Sequence, residues 1–379
     1  MARPIYLDYN ATTPHAPEVI AAMRPFLEAE FGNPSSSHWY GIAPRRAVET
    51  AREQVAAFLN CRRDEILFTS GGTESNNHAI KCAARLLRDR GRHILTSRVE
   101  HPAVLGVCRF LEADGYDVTY LPVDAAGRID LGEIERAIRP DTILITIMHA
   151  NNEVGTIQPI REIARLANQR GILMHTDAAQ SAGKINTEPD DLGVSLLSIA
   201  GHKLYAPKGV GALYIRDGLL LEPFCHGAGQ EGGLRGGTEN VLEIVGLGKA
   251  CEVAEKEGLD ATANRMRELR DRLQAGIAAA ARNVKVNGHP EHRLPNTLSV
   301  SFYGLDANRL LEAMGLEVAA SAGAACHSDT VEISHVLTAM GLDEPWAKGT
   351  LRFSTGRMTT AWEIDQALKV VFTALKTFQ

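Results

Sequence analysis

Between residues 66 and about 215 the chain alternates short, mostly apolar runs with longer stretches of helical spacing. The runs at 66–69, 93–97, 142–148, 171–176 and 194–199 are apolar on consecutive rather than alternate positions. That pattern predicts strands buried on both faces, in a mostly parallel sheet with helices covering both sides. A helix-rich bridge follows over 241–256 and 261–281. Beyond it lies a smaller α+β unit, with strands near 296–302 and 316–320 and a closing helix over 361–377. The first residues join that smaller unit. The fold class is therefore α/β, with a large domain over 16–257 and a small one formed by 1–15 and 258–379.

Composition narrows the functional classes. At 379 residues, with 45% hydrophobic and 23% charged positions, the chain has enough material for about two domains with real cores. A net charge of −6 argues against general nucleic-acid binding. No apolar run approaches the ~18 residues of a membrane span, and Met1-Ala2-Arg3-Pro4-Ile5-Tyr6 carries no apolar leader, so a cytoplasmic location is expected. Six scattered cysteines without a Cys-x-x-Cys pair fit a reducing compartment and no metal.

The candidate chemistry sits where the strands end. The run at 194–199 passes through Ala200-Gly201-His202 into Lys203. An ammonium delivered by a buried strand is costly unless paired or neutralised. One chemical solution is condensation of the amine with pyridoxal phosphate (PLP), whose ring drains electrons from a bound amino acid. PLP needs an anion beside its pyridine nitrogen, and Asp177 closes the run before it, with Gln180 one turn on; alone, Asp177 also admits the reading of a helix cap. PLP needs a phosphate cup, and Ser70-Gly71-Gly72-Thr73-Glu74 stands between a strand and a helical run from Ser75 to Arg90. Free amides at a helix start suit an anion, although an ordinary capped helix has the same pattern. His101, before Pro102, is placed to cover the ring face, and Asn152 to donate to the ring oxygen.

Together these segments resemble the cysteine desulfurases of the NifS/IscS kind, in the class V aminotransferase-like group of PLP enzymes. The resemblance runs nearly end to end, through Leu7-Asp8-Tyr9-Asn10-Ala11-Thr12-Thr13-Pro14, Gly32-Asn33-Pro34-Ser35-Ser36 and Thr69-Ser70-Gly71-Gly72-Thr73-Glu74-Ser75-Asn76. It continues through Thr176-Asp177-Ala178-Ala179-Gln180, Gly201-His202-Lys203, Arg235-Gly236-Gly237-Thr238 and Arg352-Phe353-Ser354-Thr355-Gly356-Arg357. It implies a fold type I PLP transferase and a homodimer. Lys203 then carries PLP, Asp177 holds the pyridine nitrogen, Gln180 and Asn152 touch the ring oxygen, and His101 stacks on the ring. Gly72, Thr73 and His202 bind the phosphate, and Thr238 reaches the phosphate of the partner subunit. Arg352 clamps the substrate carboxylate, with Asn152 and Asn33 beside it. Ala200 departs from the family pattern, which has a phosphate-binding serine there.

A second nucleophile separates a desulfurase from a plain aminotransferase. The small-residue run Ala319-Ala320-Ser321-Ala322-Gly323-Ala324-Ala325 ends in Cys326, which predicts a mobile or closely packed loop carrying an accessible thiol. Cys61, Cys82, Cys108, Cys225 and Cys251 read instead as small apolar fillers. The resemblance implies that L-cysteine becomes L-alanine while Cys326 takes the sulfur as a persulfide, for a sulfur-acceptor protein. The segments Gly323-Ala324-Ala325-Cys326-His327-Ser328-Asp329 and His292-Arg293-Leu294-Pro295-Asn296-Thr297 are closer to selenocysteine lyase, leaving L-selenocysteine as the alternative substrate.

Overall fold

In the computed structural model the apolar runs become strands of one seven-stranded sheet, ordered Ile66–Thr69, Gly211–Ile215, Leu196–Ala200, Leu173–Asp177, Thr142–Thr146, His93–Ser97 and Asp117–Leu121. Gly211–Ile215 runs antiparallel to both neighbours and the other adjacent pairs are parallel. The structure describes residues 4–327 and 330–378, with 324–327 and 330–332 described by their backbone alone.

Successive strand residues face opposite layers. Leu67, Ile94, Leu144, Leu196 and Leu213 pack with helices Gly72–Leu86 and Pro102–Ala113. Phe68, Leu95, Ile145, Leu197 and Ala212 pack on the other side, with helices Trp39–Phe58, Ile160–Gln169 and Val241–Glu257. Fully burying each such side chain contributes about 1.5–3 kcal/mol, so the two faces pin the register of the strands whose ends carry the site.

A separate apolar cluster joins Leu7 to Leu273, Leu298, Val300, Leu351, Phe353 and Val371. Its four-stranded antiparallel sheet is ordered Ser321–Ala322, Thr350–Ser354, Thr297–Phe302 and Val284–Asn287. The N-terminal strand Ile5–Tyr6 pairs in parallel with Val318–Ala319, so the first residues do pack with this part of the chain. Among the described residues no helix is long and apolar enough to cross a membrane.

Two expectations need correction. The helix expected from Ser75 begins at Gly72 and ends at Leu86, because Gly71, at φ +146°, makes the turn alone and releases Gly72 into the helix. The small-residue run is not a loop: Ser321–Ala322 pairs with Leu351 and Arg352, and Ala324–His327 forms a hairpin with Thr330–Ile333 that sets Cys326 opposite Val331. A Cβ on Gly323 would lie 3.0 Å from Leu337 and Thr350, so close packing rather than mobility demands the small side chain there. The thiol of Cys326 and residues Ser328 and Asp329 lie outside the described residues.

Two buried histidines under the sheet ends set a pH dependence. Burial drives His149 down to about 4 and His175, bonded to Thr146 (2.8 Å) and Ser198 (3.0 Å), down to about 3. Both lie below the unfolded value near ~6.5, so the folded chain binds fewer protons and loses stability as pH falls from that value. Glu100 works in the opposite sense: burial raises it to about 8, so its contribution is full at low pH and declines as pH rises toward 8. Between pH 7 and 5, His149 alone is expected to cost about 2 kcal/mol. Urea midpoints for wild type and His149→Gln at both pH values check this; the acid-side loss should shrink by about that amount in the variant, and an equal loss in both would contradict the assignment.

Candidate active site

The strand ends converge on a cavity of about 380 Å³ lined by Asn10, Gly72, Thr73, Asn76, His101, Asn152, Asp177, Gln180, His202, Lys203 and Arg352, among others. Asp177 ends its strand directly beside the strand that leads to Lys203, with Asp177 in register with Ser198. This adjacency brings the predicted acid and amine together although 25 residues separate them in sequence.

The Lys203 ammonium is held by two backbone carbonyls of the N-terminal segment, Asn10 (2.5 Å) and Ala11 (2.7 Å). Burial lowers Lys203 to about 8, and the nearby Arg352 charge adds to the effect. Near neutral pH a useful fraction is therefore free amine, the form that condenses with a carbonyl. Asp177 is only 6% exposed. One carboxylate oxygen accepts from Asn76 Nδ2 (2.7 Å) and the other from the Ala179 amide (2.9 Å).

His101 caps the helix that Pro102 opens: its Nδ1 accepts from the Ala103 amide at 3.1 Å. That bond leaves the proton of a neutral imidazole on Nε2. Burial lowers the His101 pKa, against an opposing pull from Asp177, and the Lys203 charge lowers it further. The ring on the cavity wall is thus a neutral flat surface. The preceding residue, Glu100, is fully buried and accepts from Ser97 (2.6 Å) and the Met148 amide.

The helix starts at Gly72, and Gly72, Thr73 and His202 line the same cavity, so the free amides of a helix start lie at its wall. His202 Nδ1 lies 3.2 Å from Thr12 Oγ1, and burial, with the Lys203 charge second, lowers its pKa to about 4. The ring is therefore a neutral hydrogen-bonding group. A Cβ built on Gly72 would stand 3.2 Å from the Ala200 methyl, so this wall of the cup is apolar where a hydroxyl would otherwise stand.

Arg352 projects from strand Thr350–Ser354 with its side chain 12% exposed. Asp8 (2.8 Å) and Ser321 (2.9 Å) hold Nη2, and the Asn152 carbonyl (3.0 Å) takes Nη1. The guanidinium so braced is a pre-positioned partner for a carboxylate.

Two candidates are not brought to this cavity. Asn33 is exposed and its Oδ1 accepts from the Ser35 amide at 2.9 Å, so it serves its own turn. Thr238 lies exposed on the loop before helix Val241–Glu257. The sequence reading missed Asp8, Asn10, Asn76, Glu100 and Lys184 as contributors; Asp8, Asn10 and Asn76 take their meaning from distant partners, Glu100 and Lys184 partly from partners three and four residues away. Cys82, Cys108 and Cys251 are buried as expected, while Cys61 and Cys225 are partly exposed.

A mostly parallel sheet with a buried aspartate ending one strand and a lysine after its neighbour defines a fold type I transferase of the NifS-like kind. The chain belongs to the aminotransferase class-V family, whose pattern matches residues 5–367. It is 49% identical over 372 residues to the cysteine desulfurase IscS of Dictyoglomus turgidum, covering 98% of this chain and 94% of that protein. Among solved structures, a NifS-like protein superposes with a TM-score of 0.93 at 40% identity, covering 99% of this chain and 100% of that one. A structure described as SspA in complex with cysteine matches with a TM-score of 0.82 at 40% identity, covering 94% and 99%.

Proposed function

We propose that this protein is a PLP-dependent cysteine desulfurase that converts L-cysteine to L-alanine and retains the sulfur as a persulfide on Cys326. The observation that carries this reading is the convergence of Lys203, Asp177, His101, the Gly72 helix start and Arg352 on one cavity of about 380 Å³. The names of its relatives support cysteine over selenocysteine as substrate.

The residues fit the cofactor. Lys203 would link it, Asp177 would keep the pyridine nitrogen protonated, and Gln180 and Asn152 would reach the ring oxygen. His101 would stack on the ring, and Gly72, Thr73 and His202 would take the phosphate. When bound, PLP supplies a conjugated ring that accepts electrons freed at the α carbon of an amino acid. Arg352 orients the substrate through its carboxylate. Lys203 Nζ moves the α proton; His101 is less suited, because its Nδ1 already accepts from Ala103. The Cys326 thiolate then attacks the substrate sulfur. The carbon–sulfur bond breaks, a sulfur–sulfur bond forms, and the carbon fragment leaves as alanine after protonation. An ordinary thiol titrates near ~8.5, so the rate should rise with pH below that value.

The exposed position of Thr238, away from this chain's cavity, supports a homodimer in which it serves the phosphate of the partner's site. A division into 16–257 and 1–15 plus 258–379, with the Cys326 hairpin on the smaller part, is supported by the cluster of Leu7, Leu298 and Phe353, which lies wholly in the smaller part, while a smaller cluster packs Val99 and Met148 against Val336 and Leu337 across the division. A cytoplasmic setting and a sulfur-acceptor protein complete the proposal.

Assays of alanine and protein-bound persulfide test it. Cys326→Ala should lose at least about 100-fold of both from L-cysteine while keeping the absorbance of bound PLP; full turnover by the variant would refute the role of the thiol. Lys203→Ala should be colourless as purified. Ala200→Ser restores a donor to the phosphate cup, worth about 1 kcal/mol, so PLP affinity should rise about fivefold by equilibrium dialysis. Unchanged affinity would place the phosphate elsewhere.

A further inference from the structure

Lys184 is a buried ammonium that the proposed reaction does not use. It is 4% exposed, four residues after Gln180 in the turn that follows the Asp177 strand. Its Nζ donates to the Gln180 backbone carbonyl (2.9 Å) and lies 3.3 Å from Gln180 Oε1. Among the described residues it has no carboxylate within ion-pair distance, and the charges that act on it are those of Lys203 and Arg352. Burial, with those like charges second, lowers it to about 7. A lysine so placed is costly to retain, and an apolar residue of similar length would fill the same space.

What the ammonium does is visible in the Gln180 amide. As an ammonium Lys184 offers only donors, so Oε1 is the atom that faces it, 3.3 Å away. Nε2 then points the other way and donates to the Asn10 carbonyl at 2.8 Å, the same carbonyl that accepts from Lys203 Nζ. Gln180 lines the cavity. We propose that Lys184 is a positioning residue: it holds the Gln180 amide with its NH2 group toward Asn10 and the cofactor side of the cavity and its oxygen away from it. Without that donor only the Asn10 carbonyl holds the amide this way round, so its orientation is less fixed and its oxygen can face the electron-rich ring oxygen part of the time. The inference rests on the PLP reading above.

The test is an absorbance pH titration of the PLP-loaded protein, which reports the proton shared between Lys203 and the ring oxygen. The other charged or titratable groups around Lys203 are Asp8, Asp177, Arg352, His101 and His202, and all remain in each variant. In Lys184→Met the ring oxygen loses a donor, so the proton is held to higher pH, by about 0.5–1 unit. Lys184→Gln keeps a neutral donor without the charge and should shift less than Lys184→Met; Lys184→Arg keeps donor and charge and should titrate like wild type. A merely structural role would change melting temperature without moving the titration. An unmoved titration in Lys184→Met overturns the inference, as does a Lys184→Gln shift equal to that of Lys184→Met, which would make the effect one of charge alone. If wild type itself shows no PLP absorbance, the PLP reading falls and takes this inference with it.

Discussion

The amine of Lys203 is kept out of bulk water and in contact with two peptide carbonyls, and most of the site is arranged around that condition. A sheet strand brings the lysine to the cavity, the N-terminal segment supplies Asn10 and Ala11 as acceptors, and Arg352 stands near enough to disfavour the ammonium further. Each element alone is unremarkable chemistry. Together they yield an amine whose protonation balance lies within reach of physiological pH.

The surrounding groups divide the electrical work. Asp177, braced by Asn76 and Ala179, is the anion on one wall, and Arg352, braced by Asp8 and Ser321, is the cation on another. Between them His101 and His202 are held toward their neutral forms, chiefly by burial. A cavity so polarised suits a ligand with a positive ring nitrogen and a negative carboxylate, and it keeps the imidazoles from competing for either role.

Much of this was legible along the chain, for a physical reason. Strands buried on both faces need unbroken apolar runs, and polar residues at their ends stand out, which is why Asp177, Lys203, His101 and Asn152 could be picked out. The helix start was misplaced by three residues because two adjacent glycines read as a turn, whereas only Gly71 takes the positive φ. The hairpin around Cys326 was invisible, since small side chains carry no periodic signal. Lys184 and Asn76 gave no local sign either: their meaning comes from partners reached by folding, Gln180 across one turn and Asp177 from 101 residues away.

The N-terminal segment ties this site to the far end of the chain. Ile5 pairs with Val318, the Asn10 amide bonds Ser354 Oγ at 2.9 Å, and the Ser354 amide bonds the Leu7 carbonyl at 2.7 Å. The peptide groups that cradle the lysine are thus tied both to the sheet end, through Gln180 and His202, and to residues translated more than 300 positions later. On a ribosome, the sheet can assemble before the last strands of the smaller part emerge, so the final bracing of this segment waits for the end of synthesis.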